Sequence, residues 1–134
     1  MRETYGTLKS VVLLALTLNT LFLISNGVFM LVDPKTWYEV VPGVTTTGFY
    51  NQHFIRDIGI VQLFLGMAFA LGWYYPKERL LLWGMATLWL MAHASFHIWE
   101  VAVGICGVSA LIRDFAAVSL PPLIGVTSLY FEKK

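Results

Sequence analysis

Four stretches of this chain stay apolar for the width of a membrane, and the polar residues that interrupt them gather toward one end of each. The stretches run about Val11 to Leu31, Phe54 to Tyr75, Leu80 to Val103 and Val108 to Phe131. Each is near the ~20 residues that cross ~30 Å of hydrocarbon at 1.5 Å per residue. The pattern predicts an all-α fold, a four-helix transmembrane bundle forming a single integral membrane domain over residues 1–134. The first stretch reads as a retained helix and not as a cleaved signal. Its apolar run exceeds the roughly 7–15 residues of a signal core, and no A-x-A-like site follows it.

The connections carry their own signals. Asp33-Pro34 has the form of a helix N-cap followed by proline at the first position, which predicts a short helix over Lys35 to Val40. Pro42-Gly43 breaks it, and Val44-Thr-Thr-Thr-Gly48 reads as extended or irregular. Trp37, Tyr38, Phe49 and Tyr50 suit an aromatic belt at the membrane surface, as do Trp73, Tyr74 and Tyr75 in the turn before the third stretch. Ile-Arg-Asp recurs at Ile55 and at Ile112 as a weak internal repeat. Pro121-Pro122 falls inside the fourth stretch and removes amide donors, freeing carbonyls around residues 117 and 118. That kink either widens a cavity between helices or shapes packing against a partner.

Composition agrees with lipid as the solvent. The chain is 57% hydrophobic and 13% charged, against about 25% charged for a soluble domain. A net charge of +1 leaves no electrostatic case for nucleic acid. Arg2, Lys9, Lys77, Arg79, Lys133 and Lys134 lie on one side of the predicted bundle, and Lys35, Arg56 and Arg113 on the other. The bias places both termini in the cytoplasm. Cys106, the single cysteine, excludes an internal disulfide and reads as a small residue packed beside the outer turn.

The candidate chemistry lies on the third stretch. His93, His97 and Glu100 fall within a sector of about 60° on one helix, with His93 about 10 Å below Glu100. His53 and Asp57 share one face of the second stretch. Asn26, Arg56 and Arg113 belong to the same outer end. Intramembrane ionisable groups are costly and mark function, and imidazole with carboxylate suits a divalent metal such as Zn(II), Fe(II) or Mn(II). The metal ligands would be His53, Asp57, His93, His97 and Glu100, supported by Asn26, Arg56 and Arg113. A bis-His haem is a less favoured use of the same histidines. Redox or hydrolytic chemistry at such a metal is one reading. The alternative is a non-catalytic accessory subunit of a larger membrane complex, its polar cluster a packing or docking network. Gly59, Gly66 and Gly72 suit close contact with a second copy or a partner. A transporter is disfavoured, because the cytoplasmic halves hold few polar residues beyond Asn19.

The segment Pro42-Gly-Val-Thr-Thr-Thr-Gly-Phe-Tyr-Asn-Gln-His-Phe-Ile-Arg-Asp-Ile-Gly59 is similar to one found in DoxX-like proteins, small four-helix bacterial membrane proteins. In length and hydropathy the whole chain resembles that group. The resemblance implies a compact bundle in the bacterial inner membrane. It also implies a redox setting, since some relatives are subunits of quinone-linked oxidoreductases and others assist maturation of redox enzymes. No catalytic residue is carried over from it.

Overall fold

The computed structural model describes residues 2–132. Lys133, Lys134 and the side chain of Arg2, which contribute to the charge bias above, lie outside the described residues. The chain forms α1 (Arg2–Val32), α2 (Pro34–Val40), α3 (Val44–Thr47), α4 (Gln52–Tyr74), α5 (Arg79–Ala102), α6 (Ser109–Arg113), a π-helical segment (Phe115–Ser119) and α7 (Leu120–Glu132). Four helical stretches, Gly6–Val32, Gln52–Tyr74, Arg79–Ala102 and Phe115–Glu132, are long and apolar enough to cross a bilayer. The molecule is an all-helical, multi-pass bundle in which α1 packs on α4, α4 on α5, α5 on α7 and α7 back on α1. The connections 33–51 and 103–108 mark its distal end, and the 75–78 turn its proximal end.

Local chemistry explains the short elements. The Asp33 carboxylate accepts from the Thr36 amide at 3.1 Å, and Pro34 opens α2, where its missing N–H costs nothing. The bonds from Thr36 hold the Asp33 carboxyl below its ordinary range. Residues 44–48, expected to be extended or irregular, instead contain one helical turn. Gly43 at φ +87° redirects the chain, and the Thr46 and Thr47 hydroxyls donate back to Gly43 O and Val44 O at 2.6 and 2.9 Å. These bonds satisfy carbonyls that an isolated turn would leave bare.

The fourth stretch is three pieces where one helix was expected. Pro121 and Pro122 cannot donate, so the turn before them slips, and the Leu120 amide reaches five residues back to Phe115 O. Both prolines are buried against the bundle.

Close backbone approach sets the α1–α4 contact. A Cβ built on Gly27 would stand 2.8 Å from Gly59 O, and one built on Gly59 would stand 2.9 Å from Met30 Cβ. Gly66 faces Ile24 and Thr20 of α1, Gly72 faces the Trp83 indole, and Gly125 faces Thr87. Gly59, Gly66 and Gly72, which in the sequence suit close contact with a second copy or a partner, make these contacts within the chain. Between the helices lies a core of Leu16, Leu23, Leu65, Phe69, Trp83, Ala86 and Leu90. Inside a bilayer such packing, and not release from water, holds helices together.

The proximal end is closed by a polar lock that the sequence did not reveal. Arg79 Nε donates to Gly72 O at 2.8 Å, supplying a donor to a last-turn carbonyl of α4. Its Nη1 pairs with Glu132 Oε2 at 2.9 Å, tying the start of α5 to the end of α7. The guanidinium also lies over the Trp83 and Trp73 rings, 5.0 and 5.9 Å from their centroids. Trp83, fully buried, donates to Phe69 O at 3.0 Å.

Two outcomes follow from this packing. Gly59→Ala lowers the melting midpoint in detergent, at about 1–3 kcal/mol for overpacking. Gly84→Ala, where a Cβ meets nothing within 4 Å, leaves it unchanged or raises it; equal effects of the two substitutions would refute the close approach. Glu132→Ala costs about 1–3 kcal/mol by leaving the half-buried guanidinium without its carboxylate. Arg79→Lys fails to restore stability in equilibrium unfolding, because an ammonium cannot reproduce the fork and the ring contacts.

Candidate functional site

Polar side chains at the distal end fall into three groups. The first is centred on Asn26, half-buried on α1. Its Oδ1 accepts from Trp37 Nε1 at 2.9 Å and its Nδ2 donates to Gln62 Oε1 of α4 at 2.9 Å. A longer contact reaches Met30 Sδ at 3.8 Å. One amide thus joins α1, α2 and α4, and the Asp33 cap is what brings Trp37 within reach. Arg56, from the first turns of α4, donates to Leu31 O at 3.2 Å, one of the last carbonyls of α1.

The second group is a ladder along α5. The Trp89 and His93 rings are stacked with centroids 5.1 Å apart, and His93 meets His97 edge-on at 4.7 Å. His97 Nδ1 stands 3.8 Å from Glu100 Oε2, and those side chains are 30% and 12% exposed, so the pair is sheltered without being sealed. Helical spacing of three and four residues places all four on one stripe. Among the described residues, neither ring nitrogen of His93 makes a hydrogen bond.

The third group lines a cleft between α5 and the α6–π region. Gly104 at φ +81° ends α5 by turning the chain so that the Ile105 and Cys106 amides return to Glu100 O at 2.9 and 3.3 Å. Cys106 is thereby brought to a cavity of about 10 Å³ shared with His97, Asp114 and Ser119, about the size of a single water. Arg113 grips Asp114 through two bonds of 2.6 and 2.8 Å. The Asp114 carboxylate holds the Arg113 guanidinium protonated above its ordinary range. The same guanidinium packs against Gly43, so the 33–51 connection reaches from α1 across to the α6 side.

The structure brings His93, His97 and Glu100 together and leaves His53 and Asp57 elsewhere. His53 Nε2 lies 3.3 Å from Asp57 Oδ2, but the two side chains are 88% and 54% exposed on the outside of α4. Among the described residues, no group of three or more His, Cys, Asp and Glu side chains is arranged to hold a metal ion. Asn26, Arg56 and Arg113, expected to support ligands, are each engaged in contacts between elements of the chain itself. The two Ile-Arg-Asp segments also differ in role: Arg56 binds the α1 backbone, whereas Arg113 binds its own neighbour and the connection above it. Asp114, Cys106 and Ser119 complete the cleft and were not singled out as site residues. Only the break in the fourth helix puts them beside His97.

Compared with protein-family models, curated proteins and solved structures, the chain has no match.

Asn26→Leu removes the partner of both Trp37 Nε1 and Gln62, at about 1–3 kcal/mol for unmet polar groups. Hydrogen exchange then rises across residues 33–41 before it rises in α4. The double variant Asn26→Leu/Gln62→Leu recovers part of the loss. Unchanged protection over 33–41 in Asn26→Leu would show that the hub does not hold α2.

Proposed function

We propose that this chain is a non-catalytic accessory subunit of a larger membrane complex and that the α5 stripe is its docking strip. The supporting observation is the contrast between the stripe and the rest of the distal end. Asn26, Gln62, Arg56 and Arg113 are spent on contacts that hold this chain together. His93 has ring contacts alone, and in hydrocarbon an imidazole without a hydrogen bond costs several kcal/mol. A helix of a second protein that offers a hydroxyl, amide or carbonyl along Trp89, His93, His97 and Glu100 removes that cost. Phe96 and Trp99, each half exposed and stacked on one another beside His97, supply apolar surface for the same contact. The setting proposed is the bacterial inner membrane with both termini cytoplasmic, from the Lys and Arg bias and the DoxX-like layout.

A second reading is favoured by one distance. With His97 Nδ1 3.8 Å from Glu100 Oε2 and His93 adjacent, the stripe is a partial donor set for a divalent metal, Zn(II), Fe(II) or Mn(II). The partner or a second copy would supply the remaining ligands. A haem or quinone in the complex is compatible with either reading.

Purification in mild detergent, without chelator or histidine tag, separates them. The docking reading expects a larger species on native gels and crosslinks to one stoichiometric partner from photoreactive groups placed at Ala92 or Phe96. His93→Ala/His97→Ala should lose that species at least tenfold while helical circular dichroism is retained, with elemental mass spectrometry finding no stoichiometric metal. A complex indifferent to the double variant would sink the docking reading. Near-stoichiometric metal, lost in that variant, would put the metal reading in its place.

A further inference from the structure

A second feature, independent of the α5 stripe, lies midway along the membrane span. Between α1 and the α7 side is a groove of about 380 Å³. Leu18, Asn19 and Phe22 line one wall; Ala116, Leu120 and Pro121 line the other. Leu18, Phe22 and Leu120 remain 58, 37 and 39% exposed, so the groove opens sideways to lipid. Its size falls within the range of small-molecule sites.

An acyl chain would satisfy the apolar walls but not the polar atoms set among them. Asn19 is 95% buried, being 5% exposed, at the centre of the Gly6–Val32 span. Its Nδ2 makes one stretched bond of 3.5 Å to Pro121 O, near the limit of a hydrogen bond. Among the described residues, no donor reaches its Oδ1. The facing wall has the complementary problem. The regular helical donor to Ala117 O is the amide of residue 121 and that to Val118 O the amide of residue 122, and both are prolines. The amide of Leu120 is directed to Phe115 O. The carbonyls of Ala116, Ala117 and Val118 therefore lack their regular helical partners in a region without water, where unmet backbone groups are costly. Irregular π turns of this kind recur at functional sites.

We propose that this groove binds a neutral, membrane-soluble alcohol, a long-chain or isoprenoid molecule presenting one hydroxyl. A hydroxyl is the smallest group that answers both needs, accepting from Asn19 Nδ2 while donating to Asn19 Oδ1 or to a freed carbonyl. A charged headgroup is excluded by depth, and a phospholipid tail brings no donor. The hydrocarbon body of the alcohol covers Leu18, Phe22 and Leu120.

The test uses the full chain in phosphatidylcholine nanodiscs with farnesol and its methyl ether, which fills the same space but cannot donate. Farnesol should raise the melting midpoint saturably and bind about fivefold tighter than the ether, the effect of one net hydrogen bond. A diazirine analogue of farnesol should label peptides of α1 and residues 115–124. Asn19→Leu should erase the difference between alcohol and ether, and Leu120→Trp, which fills the groove, should abolish both effects. Equal affinity for alcohol and ether in the unaltered chain overturns the proposal, whatever the variants do. So does discrimination that survives Asn19→Leu, or labelling confined to other helices.

Discussion

A polar group in hydrocarbon has no water to return to, and this condition decides where each polar side chain of the bundle goes. Arg56 reaches Leu31 O and Arg79 reaches Gly72 O, each supplying a donor to a carbonyl that a helix end leaves open. Asn26 shares its two polar atoms between Trp37 and Gln62. The same condition makes the exceptions informative. Thr87 Oγ1 is buried against Gly125 without a hydrogen bond, the His93 ring nitrogens have none, and Asn19 has only a stretched one. Two of these three open toward the outside of the chain, where lipid or another molecule must meet them.

Steric contact and polar contact divide the work between the two ends. At the distal end α1 and α4 approach until backbone touches backbone at Gly27 and Gly59, and the Asn26 bond to Gln62 lies within a turn of that crossing. At the proximal end large aromatic rings fill the space, and Gly72 yields room for the Trp83 indole. The guanidinium of Arg79 then covers the rings from outside.

Hydropathy alone made the number and rough limits of the membrane helices legible, because the ~30 Å of hydrocarbon demands about 20 apolar residues wherever a helix crosses. The Asp33-Pro34 cap was equally readable, since its chemistry is local. The break in the fourth helix was only half readable: the prolines announced lost amides, but not that the chain would absorb the loss as a π turn. The stripe of His93, His97 and Glu100 followed from helical spacing. Whether His53 joined it depended on how α4 is rotated, and the glycines that set that rotation were assigned to partners. The Arg79–Glu132 pair was illegible because 53 residues separate its members and nothing local ties one to the other.

That pair also has a bearing on how the molecule is made. The contacts of α1 with α4 involve nothing beyond Tyr74, so the first hairpin can close while the rest of the chain is still being synthesised. The second half has no such freedom. Arg79 opens α5, yet its carboxylate partner lies near the far end of α7, so the charge must wait for α7 to be delivered. During that interval the guanidinium has only Gly72 O and two indole rings to hold it. Of these, Gly72 O and the Trp73 ring belong to α4, so the first hairpin already offers the Arg79 side chain two of its contacts before α7 is in place.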